Sequence, residues 1–451
     1  MELRGKKVLV FGSGKSGTGA ADLLGAVGAF PVIYDGNQKV NKEEVIAKTN
    51  GTYQAEVYVG VLPEEVVRTL DLVVLSPGVP TDLPIVEEFR KRGLPLWGEV
   101  ELAYRTGKGS VLAITGTNGK TTTTALLGKI MADARPSVYV VGNIGTPYTS
   151  RSLEMKEETI TVAEISSFQL ETIEEFAPKV SAILNITEDH LNRHHTMEEY
   201  IRVKEQITKN QTEEDYCVLN YEDEVLRAFG EHCVPKSVYF SSERELEQGI
   251  FLRGDAIILR TEQEEIPVVK TGDLKLLGKH NFENVMAGIA MAYYAGVSME
   301  SIRSSVCAFT AVEHRIEYVT EKNGVVYYND SKGTNPDAAI KGIQAMNRPT
   351  LLIGGGYDKG SNYDEWIRAF DGKVRYLVLI GATKYDIKAS AERLGFHDVI
   401  LCENLAQAVK ICADKADSGD AVLLSPACAS WGQFDNYEQR GDMFKEYVYA
   451  L

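Results

Sequence analysis

Gly116-Thr117-Asn118-Gly119-Lys120-Thr121-Thr122 is the run of residues with the most chemistry to offer. It lies between Val111-Leu112-Ala113-Ile114, which reads as a strand, and Ala125 to Met131, where apolar residues recur at helical spacing. A glycine-rich turn in that setting aims backbone N–H groups and the positive end of a helix at one point. That point suits the phosphates of a nucleotide. Lys120 has the reach for the outer phosphates, and the Thr121 hydroxyl is a suitable Mg²⁺ ligand. The longer P-loop pattern wants glycine where this chain has Ile114, so the motif is a shortened variant. Alone it indicates binding and cleavage of a nucleoside triphosphate.

A second phosphate-type turn precedes it. Gly12-Ser13-Gly14-Lys15-Ser16-Gly17 follows the apolar stretch Lys7 to Phe11, and Asp35 ends the next one, Pro31 to Tyr34. This matches the dinucleotide fingerprint and raises a nicotinamide-dependent dehydrogenase. The block is too short for a six-strand dinucleotide domain, and a second nucleotide loop about 100 residues later is out of place in a simple dehydrogenase. A glycine turn at a helix start seats any diphosphate, and a UDP-sugar carries one. The expectation is a nucleotide-sugar anchor, with Lys15 and Ser16 near the pyrophosphate and Asp35 near the uridine end.

After the P-loop come acids and histidines. Thr161 to Ser167 reads as a strand presenting Glu164, the place where P-loop proteins carry an acid for Mg²⁺; a solvated edge glutamate is the alternative. Val180 to Ile186 reads as the next strand. Beyond it, Thr187-Glu188-Asp189-His190-Leu191-Asn192-Arg193-His194-His195 holds three of the seven histidines. Imidazole is a good metal ligand and Arg193 a good partner for carboxylate or phosphate, while a polar surface turn fits equally well. Its place after a sheet strand is where open α/β sheets put ligands. Lys204, in the helical segment Tyr200 to Lys204, reads as a solvated lysine.

These loops require a scaffold, and the chain supplies strand–helix alternation in three blocks. Residues 1–97 read as a Rossmann-like doubly wound sheet, with Leu72 to Leu75 leading into the turn Ser76-Pro77-Gly78. Residues 98–300 read as a P-loop ATPase-type α/β domain, with a small antiparallel sheet over the polar stretch Val238 to Val269. Residues 301–451 restart the alternation as a second Rossmann-like α/β domain, through Val325 to Tyr328, Thr350 to Ile353, Leu377 to Ile380 and Val422 to Leu424.

Composition agrees with a cytosolic enzyme. At 451 residues the chain exceeds one ordinary core, and 44% hydrophobic with 25% charged residues is a soluble globular balance. No run approaches the ~20 apolar residues of a membrane span. The N-terminus enters a strand directly, which predicts no signal peptide. Six cysteines without a C-x-x-C pair suggest neither a disulfide framework nor a zinc site. A net charge of −16 counts against a nucleic-acid surface.

Taken in order, the motifs resemble the Mur ligase family, cytoplasmic ATP-dependent amide ligases that build the peptidoglycan stem peptide. The resemblance covers all three blocks. Beyond the ATP loop it rests on Glu164-x-Ser166-Ser167-Phe168-Gln169-Leu170, Asn185-x-Thr187-x-Asp189-His190, His280-Asn281-x-x-Asn284, His314-Arg315 and Asn329-Asp330-Ser331-Lys332. The tail Ser425 to Ser430, with Gln433-Phe434 and Arg440-Gly441-Asp442, resembles the D-glutamate-adding branch. Asn192 stands where some relatives carry Asp, and Tyr437 where Phe is familiar. The Asp-Asn-Pro-Arg tetrapeptide of the diamino-acid-adding branch is absent.

The resemblance implies roles for individual residues. Gly116, Thr117, Asn118, Gly119, Lys120, Thr121 and Thr122 would hold ATP, together with Asn281, Arg315 and Asp330. Lys120 would stabilise the transferred phosphoryl group. Thr121 and Glu164 would hold one Mg²⁺, and His190 a second with Lys204 carried as a carbamylated lysine. Ser76, Gly78, Asn143, Ser166, Gln169 and Arg193 would face the UDP-linked muramoyl substrate, and Lys332 would also face substrate. Thr334, Lys359, Ser430 and Tyr437 would receive D-glutamate, Lys359 as the cation for its carboxylate. The partners implied are UDP-N-acetylmuramoyl-L-alanine, D-glutamate and ATP, without nucleic acid or membrane, acting on a monomer. The chemistry implied is an acyl phosphate made from ATP and a carboxylate, then captured by an amine. A sibling ligase, a folylpolyglutamate synthetase-like enzyme and a non-catalytic nucleotide- or UDP-sugar-binding regulator are the other readings.

Overall fold

Strands built almost wholly of Val, Leu and Ile are stable when both faces are covered, which parallel sheets with flanking helices provide. The computed structural model describes residues 2–143, 145–310, 312–357 and 360–451, in two compact units: Met1–Val268 with Asn284–Ser305, and Val269–Glu283 with Val306–Leu451. In the first unit, β1 (Lys7–Phe11), β2 (Phe30–Asp35), β3 (Glu56–Val59), β4 (Leu72–Leu75) and β5 (Leu96–Gly98) form a parallel sheet ordered β3-β2-β1-β4-β5. One face packs around Val8, Val10, Leu24 and Val74, the other around Leu9, Val32, Val73 and Phe89. Strand order reverses between β1 and β4, where an open α/β sheet leaves a crevice for ligand. The glycine turn after β1 and the Ser76 turn after β4 meet there. Gly12 has φ +109°, and a Cβ on it would lie 2.7 Å from the Ser76 side chain. A Cβ on Gly17 would lie 1.9 Å from the Gly12 carbonyl oxygen, so this corner closes only with glycine.

The second sheet has nine strands: β6 (Ser110–Thr115), β7 (Val138–Gly142), β8 (Ile160–Glu164), β9 (Val180–Ile183), β10 (Tyr216–Asn220), β11 (Lys236–Ser241), β12 (Gly249–Arg253), β13 (Ala256–Arg260) and β14 (Glu265–Lys270). Their order is β14-β13-β12-β11-β10-β9-β6-β8-β7, which puts the P-loop strand β6 between β8 and β9. The antiparallel pairing expected over Val238 to Val269 is present, but it continues the main sheet. β11 is parallel to both β10 and β12, and the reversal comes between β12 and β13. Continuation satisfies a sheet edge that would otherwise stand open. Two strands stop early: β8 ends at Glu164 and β9 at Ile183, because the residues after each are taken into loops at the sheet end.

The second unit holds β15 (Glu317–Lys322), β16 (Val325–Asn329), β17 (Thr350–Gly354), β18 (Val374–Leu379), β19 (Val399–Leu401) and β20 (Ala421–Leu424), ordered β15-β16-β20-β17-β18-β19. β15 is antiparallel to β16 and the other pairings are parallel. Apolar cores cover both faces, one around Leu352, Trp366 and Leu423, the other around Leu351, Val378 and Phe444.

Within the first unit the two sheets are joined by the helix Glu99–Thr106. Glu101 is fully buried in it, and its carboxylate accepts the N–H groups of Glu174, Glu175 and Phe176 at 2.9, 2.9 and 3.0 Å and Arg105 Nε at 2.5 Å. Arg105 in turn lies 4.2 Å from the centre of the Trp97 ring, whose Nε1 donates to Glu174. Removing the carboxylate would leave the buried Phe176 N–H and two part-buried N–H groups without their acceptor, while Arg105 keeps its pairs with Glu174 and Glu175 at 2.8 and 2.9 Å. Glu101→Ala should cost about 1–3 kcal/mol of stability, read as a lowered thermal transition, and Glu101→Gln should cost less.

Candidate active site

β6 passes into the helix Lys120–Ala134 through Gly116 and Gly119, at φ +146° and +85°. A Cβ on Gly119 would lie 2.2 Å from Asn284 Oδ1. The loop is braced by Asn185, whose Oδ1 accepts the Asn118 N–H at 2.8 Å and whose carbonyl accepts the Thr117 N–H at 2.9 Å. Lys120 Nζ donates to the carbonyls of Gly116 and Thr117 at 2.8 and 2.9 Å. Lys204 Nζ donates to the same Gly116 carbonyl at 2.9 Å.

Lys204 is therefore not the solvated residue its sequence surroundings suggest. It is 1% exposed, because the helix Met197–Glu205 turns Tyr200, Val203 and Lys204 inward. The Tyr200 hydroxyl meets Thr117 Oγ1 at 3.1 Å and ties that helix to the P-loop. Burial, and then the Lys120 charge, push the Lys204 amine down to about 7 against the opposing pull of Asp189.

Glu164, at the end of β8, is 1% exposed, which overturns the solvated-edge alternative. Its Oε1 accepts Asn143 Nδ2 at 2.8 Å, and its Oε2 is buried with no hydrogen-bond partner among the described residues. Among the described residues no three His, Cys, Asp or Glu side chains gather as a metal cage. Mg²⁺ does not need one: it takes one or two protein oxygens and fills its shell with phosphate and water. The unpartnered Glu164 oxygen, with Thr121 in the first turn of the helix after the P-loop, fits such an ion.

The histidine cluster divides. His194 is buried with Nε2 2.9 Å from Ser167 Oγ, and burial pushes its ring below the usual imidazole range. His195 pairs with Asp82 at 3.1 Å. His190, at φ +53°, is half-exposed and packs 4.8 Å from the Phe168 ring. Arg193 is engaged within the protein: it grips Glu171 through Nε at 3.2 Å and Nη2 at 2.5 Å, and donates to the Val79 carbonyl at 2.9 Å. Thr81 also reaches Glu171, so this acid ties the Ser76–Thr81 turn to the second sheet. Ser166 and Gln169 form a reciprocal cap on the short helix Ser167–Leu170.

At the first sheet, Asp35 braces the glycine turn by accepting the Ser13 N–H and O–H at 3.1 and 2.5 Å. Lys15 Nζ reaches the Gly145 carbonyl at 2.8 Å, while Ser16 and Ser76 are half-buried and Gly78 is exposed.

Asn281, Arg315, Asp330, Lys332, Thr334, Ser430 and Tyr437 all belong to the second unit, and Lys359 lies outside the described residues. Asn281 Nδ2 caps the Leu277 carbonyl at 2.7 Å and Arg315 is exposed. Asp330 is buried, accepts the Ser425 hydroxyl at 2.7 Å, and is pushed up to about 7, chiefly by burial. Lys332 Nζ stands 5.3 Å from the Tyr437 ring centre. Thr334 N–H donates to the Lys332 carbonyl, and the buried Ser430 accepts from Phe434 N–H. Arg440, with no exposed surface, joins these loops by donating to Ser331 Oγ at 2.9 Å, the Ser331 carbonyl at 2.7 Å and the Cys428 carbonyl at 3.1 Å. The motifs containing Arg440 and Asn185 were visible in the sequence, but the bracing roles were not. Glu171 and Tyr200 carried no signal.

Three family models match most of the chain. A Mur ligase MurD-like N-terminal domain matches residues 6–98, the Mur ligase middle domain 114–292, and the Mur ligase glutamate ligase domain 314–428. The UDP-N-acetylmuramoylalanine–D-glutamate ligase of Lachnoclostridium phytofermentans is 56% identical over 100% of this chain and 99% of its own length. That of Lachnospira eligens is 55% identical over the whole of both chains. Among solved structures, MurC from Thermotoga maritima (TM-score 0.59, 19% identity, 99% of each chain) and MurF from Acinetobacter baumannii (0.60, 16%, 98% and 93%) share the fold.

The P-loop geometry has a direct consequence. Gly119→Ala should weaken binding of a fluorescent ATP analogue about tenfold or more, with an unchanged far-UV circular dichroism spectrum, because the added methyl meets Asn284 in a left-handed turn.

Proposed function

The chain belongs to the Mur ligase family, and from that footing we propose how it joins D-glutamate to UDP-N-acetylmuramoyl-L-alanine with ATP. It is an ATP-dependent acid–amino-acid ligase of peptidoglycan precursor synthesis. The observation that carries this reading is the end-to-end identity with D-glutamate ligases, 56% over all 451 residues.

A free carboxylate is a poor acyl donor because its leaving group would be oxide. The alanyl carboxylate attacks the γ-phosphate of ATP, giving an acyl phosphate and ADP; the D-glutamate amine then attacks the acyl carbon and phosphate departs. Lys120 and the N–H groups of Gly116 to Thr122 stabilise charge on the transferred phosphoryl group and hold it in line. Mg²⁺, when bound, neutralises charge on the triphosphate, and Thr121, Glu164 and His190 are the residues to hold it at two sites. Lys204 completes that set as a carbamate. A buried amine kept near neutral takes up CO₂, releases a proton and becomes an anionic oxygen ligand of the kind Mg²⁺ prefers.

Residues 1–97 bind the UDP moiety through the glycine turn, with Lys15, Ser16, Asp35, Ser76 and Gly78. Asn143, Ser166, Gln169 and Arg193, within residues 98–300, face the muramoyl part. Residues 301–451 supply Asp330 and Arg315 toward ATP, Lys332 toward substrate, and Thr334, Lys359, Ser430 and Tyr437 toward D-glutamate. Asn281 joins the nucleotide set. The enzyme works as a cytoplasmic monomer; among the described residues no helix is long and apolar enough to cross a membrane.

Phosphate release from ATP should require both UDP-N-acetylmuramoyl-L-alanine and D-glutamate, and L-alanine or L-lysine should not replace D-glutamate. ATP cleavage that proceeds equally with either partner omitted would refute the ligase reading. Lys120→Ala should abolish ADP formation while the UDP-linked substrate still binds. Lys204→Ala should lose activity, with partial recovery in millimolar formate or acetate, and ¹³CO₂-treated wild type should show a carbamate carbon resonance that the variant lacks.

A further inference from the structure

Glu99 has no part in the ligation mechanism, yet it is bonded to Gln169, one of the residues proposed to face the substrate. It follows β5 directly and is 2% exposed. Its Oε1 accepts Gln169 Nε2 at 2.7 Å, and its Oε2 is buried with no hydrogen-bond partner among the described residues. At the other end of the same carboxamide, Gln169 Oε1 accepts both the N–H and the O–H of Ser166, at 2.8 and 2.9 Å. A carboxamide has one donor end and one acceptor end; the Ser166 N–H takes the acceptor end, and the Glu99 oxygen receives the donor end, so the two together hold Gln169 one way round. With the carbonyl turned to Ser166, the Ser166 hydroxyl proton is committed, and its oxygen, which accepts the Gln169 N–H at 3.4 Å, keeps one further lone pair for an incoming donor. Turned the other way, the amide N–H₂ would confront the Ser166 N–H, which can only donate.

Glu99 and Gln169 also line one small cavity with Ser76, Pro77, Phe168 and Arg193. Three of these, Ser76, Gln169 and Arg193, belong to the set proposed to face the UDP-linked substrate. We infer that Glu99 is a positioning residue for that substrate, acting through Gln169 on Ser166. The inference rests on the proposed contact of Ser166 and Gln169 with the muramoyl part. A carboxyl is an expensive acceptor to bury, since its charged form loses hydration. Burial pushes it up to about 7, with the Gln169 hydrogen bond opposing. Below that the group is a neutral acid, which keeps negative charge away from a substrate that is itself an anion. Glutamine has the shape and acceptor of this neutral acid; methionine has the volume without the acceptor.

The test measures binding of UDP-N-acetylmuramoyl-L-alanine by calorimetry, together with KM for each substrate and kcat, in the full-length enzyme. Glu99→Met should raise Kd and KM for the UDP-linked substrate about tenfold, with KM for ATP and kcat changed less than about twofold. Glu99→Gln should recover most of the lost affinity. Gln169→Glu alone sets two carboxyls face to face and should lose affinity, and the exchange Glu99→Gln with Gln169→Glu should restore it about tenfold by rebuilding one acid and one amide. That pair decides the matter even where Glu99→Met does not fold. Wild-type affinity in Glu99→Met, equal damage from Glu99→Gln and Glu99→Met, or no recovery in the exchange would each overturn the positioning role. Failure of the wild type itself to bind the UDP-linked substrate would instead remove the assignment on which the role rests.

Discussion

Two lysine side chains converge on the carbonyl oxygen of Gly116, Lys120 from the start of the P-loop helix and Lys204 from a helix more than eighty residues later. Two ammonium groups held this close in a dehydrated place repel by on the order of a few kcal/mol. The protein resolves the conflict by burying one of them. Burial, with Tyr200 beside it, pushes the Lys204 amine down to about 7 at the sheet end, while Lys120 is only half-buried. The same packing that holds the P-loop in shape thus keeps a buried amine of lowered basicity against the Gly116 carbonyl.

The sheet architecture explains why these groups meet. In each parallel sheet the strand ends that point one way carry the loops with chemistry: Gly12 and Ser76 after β1 and β4, Gly116, Ile165 and Leu184 after β6, β8 and β9. Neighbouring parallel strands deliver their carboxyl ends to a common edge, and helix N-termini add positive potential to it. Glu101, Glu171 and Trp97 then lock the first of these edges to the second through one buried carboxylate, one two-sheet acid and one cation–π stack.

Several groups that look like ligand contacts in a linear reading are engaged inside the protein. Arg193 holds Glu171, Asp35 holds Ser13, and Lys15 holds the Gly145 carbonyl. A charge in a half-buried loop costs free energy unless something compensates it, so the fold supplies partners from its own backbone and side chains. Arg440 is the extreme case: a guanidinium with no exposed surface, held by a hydroxyl and two carbonyls, and pulled down to about 10 by burial. Its contacts set the relation between the Ser331 and Cys428 loops.

The strands β1, β4, β6 and β20 were legible because runs of four or more apolar residues bounded by glycine or polar turns have few other folded states. The P-loop and the N-terminal glycine turn were legible because backbone geometry, and so residue type, is dictated locally there. The early ends of β8 and β9 were not, since Ser166 leaves its strand to cap a short helix with Gln169 and Asn185 leaves its own to brace Thr117 and Asn118, distant in sequence. Nor was the burial of Lys204, the fixed amide of Gln169 or the weight carried by Glu99, Glu171 and Arg440. Local sequence specifies which way a backbone turns and which face is apolar. Whether a lysine or a glutamate is buried, and what it then binds, depends on neighbours brought in by long-range sheet order, and only the folded chain decides that.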